Sequence, residues 1–222
     1  MKNLFIILTG FLVLTSCDAK KNHTKNTIVN KKDTVASTTK DRTNFESTVI
    51  QVIKAFQQKD ANALNQLIHK EKGLIIMHNP GAFRVYEKTD KIDFDNPIPE
   101  YQPYNTEFET DYQLKYEQLP NYDCETESWN KSGLFCDTIT RDNRLSSTLK
   151  ALVEFEFFTE KWDWDTEISA FEEMEKNSRM IILSSLRNGP YTDESGELLF
   201  SLTLINGKWY LTFLDRVVPC SA

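Results

Sequence analysis

Only three histidines and a few acidic clusters could do acid–base or metal chemistry in this chain. His69 and Glu71 form an H-x-E pair. Zinc-bound hydroxide chemistry built on such a pair also needs P-C-x-x-C, and Pro219-Cys220 is followed by Ser221-Ala222, so the ligand set is incomplete. A histidine near a helix C-terminus is in any case favoured by the helix dipole. His69 and His78 bracket an apolar run and make the candidate pocket pair, because either could act as a general base if a fold brought it against a carboxylate. His23 stands alone in polar sequence and receives no role. Asp163, Asp165 and Glu167 in WDWDTE imitate the opening of a calcium loop, yet positions six and twelve are Ile168 and Met174 where Gly and Glu are required. The alternation with Trp162 and Trp164 fits aromatics turned inward and carboxylates outward. Asp90, Asp93 and Asp95 read as a solvated loop. G-x-S-x-G, H-E-x-x-H, G-x-x-x-x-G-K and G-x-G-x-x-G are absent, and seven glycines leave little for phosphate-cradling loops. No catalytic residue, metal ligand or cofactor is assigned.

Three cysteines lie in the body. Cys124 and Cys136, 12 residues apart, flank ETESWNKSGLF, in which Lys131-Ser132-Gly133 can turn the chain. The expected disulfide joins these two, a loop closure of about 3 kcal/mol. Pairing with Cys220 and a fully reduced state are the alternatives. No cysteine sits in a C-x-x-C, so a metal site has no support.

The elements that would position these residues follow from periodicity. Thr43 and Glu46 form a capping-box pattern ahead of Phe45, Val49, Val52, Ile53 and Phe56, which predicts a helix over about 44–58. Asp60 can cap a shorter helix carrying Leu64, Leu67 and Ile68, which ends near Gly73. LIIMH at 74–78 reads as a strand, Asn79-Pro80-Gly81 as a turn, and 82–87 as a returning strand. Residues 96–104, with three prolines, read as loop. Tyr112, Leu114 and Tyr116 alternate like a half-buried strand. Helices are expected over about 142–158 and 166–177. Strands are expected at Met180–Leu186, Leu198–Ile205 and Lys208–Leu214, the last two joined by Asn206-Gly207. The class is α+β, with N-terminal helices packed on one face of a curved, mainly antiparallel sheet and an irregular middle insertion.

The helix pair ending in Leu67-Ile68-His69-Lys70-Glu71-Lys72-Gly73, followed by LIIMH, resembles the opening of NTF2-like (cystatin-like α+β) domains. INGKWYLTFLDR resembles their closing strands. The resemblance covers less than half of the body, and the stretch between about 90 and 160 would be an elaboration. It implies a cone with an apolar pocket, an architecture shared by enzymes, ligand-binding modules and interaction modules.

The N-terminus carries its own signal. Lys2 precedes the apolar run LFIILTGFLVL at 4–14, too short to span a bilayer as a helix and suited to a secretory signal peptide. Leu14-Thr15-Ser16-Cys17 resembles a bacterial lipobox. That resemblance implies a signal peptide over 1–16, diacylglycerol and palmitate-type acylation on Cys17, and stable anchoring by several acyl chains. Residues 17–43 read as a lipidated cysteine and disordered polar linker, with only five Ala, Val or Ile and no aromatic over 18–43. Residues 44–222 read as one globular domain. The linker holds seven Lys/Arg against three Asp; with Lys2 and a total of −7, the body carries −12. Such an acidic body is poorly suited to nucleic acid.

The expected protein is therefore a lipid-anchored component of the cell envelope, on a periplasmic or surface face. Its expected task is non-enzymatic binding of a small ligand or an envelope protein. The alternatives are a small acid/base enzyme using His69 or His78, and a structural envelope linker.

Overall fold

The computed structural model describes residues 31–108, 113–138, 142–155, 163–185 and 197–220. The leader, Cys17 and His23 lie outside them, as do Tyr112, Trp162, Leu186 and the end of the helix expected to reach 158. Two helices, α1 (Lys31–Gln57) and α2 (Ala61–Asn65), lead into the hairpin β1 (Leu74–His78) and β2 (Val85–Thr89). The middle supplies β3 (Leu114–Tyr116), the small hairpin β4 (Tyr122–Asp123) and β5 (Ser128–Trp129), and β6 (Gly133–Cys136). Helices α3 (Arg144–Glu154) and α4 (Trp164–Lys176) precede the meander β7 (Ser178–Ser184), β8 (Leu198–Ile205) and β9 (Lys208–Asp215).

Seven strands form one open sheet in the order β2-β1-β9-β8-β7-β6-β3. The β1–β9 and β3–β6 pairs are parallel and the rest antiparallel. Strand side chains alternate between faces, and both faces here are apolar. Leu74, Ile76, Ile181, Leu183 and Phe200 join Phe45, Val49, Val52, Ile53 and Phe56 of α1 in one core. Ile75, Met77, Ile182, Leu199 and Phe213 join Leu145 and Leu149 of α3 and Phe171 of α4 in a second. The sheet is thus covered on both sides, where helices on one face were expected. Runs such as LIIM at 74–77 and MIIL at 180–183, apolar at every position and buried at each, are the sequence trace of that double burial.

Several local expectations change for identifiable reasons. Helix α1 begins at Lys31, within the segment read as linker, so Thr43 and Glu46 lie inside it and make no N-terminal box. Glu46 instead accepts from Arg42 Nε at 2.8 Å and from Tyr116 Oη at 2.9 Å. Arg42 beside it holds its carboxyl below the usual range. Asp60 does cap α2, accepting from the Ala63 amide at 2.9 Å. The turn into β1 needs Gly73: its φ is +71°, and a Cβ there would stand 2.7 Å from the Thr89 carbonyl oxygen. Asn206 and Gly207, both at positive φ, close the β8–β9 hairpin as expected.

The irregular segment 90–104 is pinned to the α1/α2 face. Asn65 grips Ile92 twice, donating to its carbonyl and accepting from its amide at 2.7 Å. Phe94 and Tyr104 pack edge-on against Phe56. Arg216, buried just beyond β9, donates to the carbonyls of Ile98, Gln102 and Pro103 and lies 4.5 Å from the Tyr104 ring centroid. One guanidinium thereby organises a loop that hydrophobic periodicity could not reveal.

Candidate functional site

The sequence singled out two histidines, and the fold separates them. His69 sits in the turn before β1, where Nδ1 accepts from the amides of Glu71 (3.2 Å) and Lys72 (3.3 Å) and the ring meets Tyr210 edge-on. The H-x-E pair is therefore a turn device. His78 ends β1, roughly 17 Å away at the strand rise. It is buried; Nε2 lies 3.0 Å from Glu87 Oε1 on β2, and Nδ1 lies 3.5 Å from the hydroxyl of Tyr101. Both ring nitrogens are thus engaged. Histidine lines neither of the two cavities described below.

The acidic motifs are local structure as well. Asp163 is the N-cap of α4, accepting from the Thr166 amide at 3.2 Å and hydroxyl at 2.6 Å, bonds that lower its pKa. Asp165 and Glu167 occupy the first turn, where carboxylates favour the helix dipole. Trp164 belongs to α4 itself, so a helix replaces the strand-like alternation of inward and outward residues. Asp93 closes a turn on Asp95 and Asn96. No group of three or more His, Cys, Asp or Glu among the described residues could hold a metal ion.

The expected Cys124–Cys136 bridge is replaced by Cys124–Cys220, with Cα atoms 5.7 Å apart. Cys136 lies on β6 between β3 and β7, fully buried in the α1-side core, and so faces away from the loop that carries Cys124. Burial pushes its thiol up to about 12, which keeps it un-ionised and inert.

Two concavities lie on the α3/α4 side of the sheet. The larger, about 610 Å³, separates α4 from the strands. Its apolar lining is Ile75, Phe171, Met174, Leu204 and Ile205, and Ala170 of α4 is exposed beside them. Lys72 and Lys88 stand on its rim and make no ion pair among the described residues. Glu167, also at this groove, accepts from the Tyr86 hydroxyl at 3.3 Å, and burial together with that carboxylate raises the Tyr86 pKa. The smaller cleft, about 210 Å³, sits at the other end of β8, near Leu199. The groove has a partial sequence signal, in the amphipathic spacing of Ile168, Phe171 and Met174. Its lysines and the second cleft had none, because their convergence depends on sheet order.

Among the described residues, no helix is long and apolar enough to cross a membrane. Comparison with protein-family models, with curated proteins and with solved structures finds no match.

Proposed function

We propose that this chain is a lipid-anchored envelope protein whose α+β body is a non-enzymatic binding module. Its ligand is a small amphiphile with an apolar chain and an anionic head. The groove between α4 and the sheet carries this reading. Its volume of about 610 Å³ falls within the range of small-molecule sites. Phe171, Met174 and Leu204 offer the chain an apolar bed, while Lys72 and Lys88 offer the head two uncommitted cations. Leu204 stands partly exposed at the edge of this bed.

The body is further proposed to be an elaborated NTF2-like domain. The two segments that carry that resemblance are neighbours: β1 runs beside β9, and the Leu211 amide donates to the Leu67 carbonyl at 2.8 Å. Anchoring through acylated Cys17, with membrane lipid as partner, rests on the lipobox resemblance alone.

Titration with the fluorescent fatty acid cis-parinaric acid tests the groove. Saturable binding is expected. Ala170→Trp, an exposed helix position facing no core, should abolish it without lowering the melting temperature. Lys72→Glu with Lys88→Glu should weaken the fatty acid at least tenfold and leave dodecanol unchanged. Equal binding by wild type and Ala170→Trp would refute the reading. A second reading, proton transfer at His78, draws on the Glu87–His78–Tyr101 row. It requires Tyr101 to leave Nδ1 before a substrate can reach the ring.

A further inference from the structure

We infer that the smaller cleft is a second, separate binding site, for a small organic carboxylate. Its walls come from distant parts of the chain: Tyr122 and Trp129 of the β4–β5 hairpin and Val217 and Pro219 of the C-terminal tail, with Arg84, Arg144 and the Asp215 carboxylate also in the lining. The two arginines differ in commitment. Arg144 is held by Asp215 (2.7 Å) and Asp142 (3.4 Å), so its charge is spent within the protein. Arg84 is exposed and makes no ion pair among the described residues. A free guanidinium at the mouth of a concavity matches the paired oxygens of a carboxylate.

The aromatic wall of the cleft is nearly closed to solvent at Trp129. Trp129 is 6% exposed, and its indole Nε1–H is buried with no hydrogen-bond partner. A buried donor without an acceptor is costly to leave unmade, and Trp129 is part of the cleft lining. A ligand against this wall rests on the Trp129 side chain, while Arg84 balances its charge. The volume, about 210 Å³, equals the share of roughly seven waters. That suits a compact carboxylate with a flat apolar body against Tyr122 and Trp129, whose rings meet edge-on at 5.5 Å.

The disulfide makes the site conditional. Cys124 follows Tyr122 on the hairpin and Cys220 follows Pro219 in the tail, so the bridge fastens one wall to the other. Reduction should therefore loosen the cleft and weaken the ligand.

The test uses the full chain labelled with ¹⁵N, with benzoate as probe and the four tryptophan indole resonances as readout. Benzoate is expected to move the Trp129 indole signal saturably at millimolar concentration and to leave Trp209 in place. Arg84→Gln, an exposed substitution that spares the core, should weaken binding at least tenfold. Reduction of the bridge should weaken it at least threefold while the Trp209 signal confirms a folded body. Three results would overturn the proposal: no Trp129 shift up to 20 mM benzoate, on the order of the weakest useful affinity; an unchanged response in Arg84→Gln; or equal binding of benzyl alcohol. Tighter binding of inorganic phosphate than benzoate would overturn the assigned ligand class.

Discussion

Breaking the Cys124–Cys220 bridge should destabilise the body more than any other covalent change available to it. The bridge closes a loop spanning 96 residues. Loop-closure entropy then gives about 4.7 kcal/mol, against about 3 kcal/mol for the short Cys124–Cys136 loop. For a domain of this size, each kcal/mol moves the midpoint by about 2–4 °C, so a loss of roughly 10–18 °C is expected. The assay is thermal unfolding of wild type, Cys220→Ser and Cys136→Ser, each with and without a phosphine reductant. Wild type should fall on reduction to the level of Cys220→Ser, which should itself ignore the reductant. Cys136→Ser should still respond to it, because its buried thiol takes no part in the bridge. Reductant sensitivity in Cys220→Ser together with its absence in Cys136→Ser would refute the pairing and the reasoning about which face Cys136 occupies.

Other outcomes follow from single contacts. Helix α3 lacks a side-chain cap from Asn143, and Glu175 of α4 supplies it, accepting from the amides of Leu145 and Ser146 at 3.0 Å each and from the Ser146 hydroxyl at 2.6 Å. Glu175→Ala should cost about 2 kcal/mol in urea unfolding. Burial raises the Glu175 and Asp142 pKa values. A carboxyl raised in the folded state binds more protons there than in the unfolded chain, so its contribution to stability falls as pH rises through the window just above its ordinary value. Glu175→Gln should flatten the loss of stability on going from about pH 4.5 upward, measured by the urea midpoint. Arg216→Met should cost about 3 kcal/mol and expose the 93–104 loop to limited proteolysis, because three carbonyls lose a charged donor. Gly73→Ala should cost at least 1 kcal/mol by thermal unfolding, from both the positive φ and the approach of the Thr89 carbonyl.

Sequence periodicity located the meander, the β1 strand and the cores of the four described helices, because each has a repeating apolar face or a cap. It started α1 too late, at about 44 instead of Lys31, and ran α2 on to Gly73 although it ends at Asn65, with Leu67 and Ile68 beyond it. What it could not reveal was lateral. The continuous apolar runs 74–77 and 180–183 fit either one buried face or two, and only strand order shows that α3 and α4 cover the second. The β6 strand GLFC was hidden by its four-residue length, and it decides the disulfide, since it places Cys136 in the core. Arg216 looks like ordinary surface charge in one dimension. Its role comes from contacts across a large sequence separation, such as that with Ile98.

The most direct test of the binding account uses the methionines. Met77, Met174 and Met180 are three of the four in the chain, and Met174 alone of these lines the groove. In the full chain labelled at methionine methyl carbons, adding a fatty acid such as laurate should move the Met174 signal saturably and leave Met77, buried in β1, at its original position. A Met174 signal indifferent to laurate at every concentration below its aggregation threshold would contradict the account.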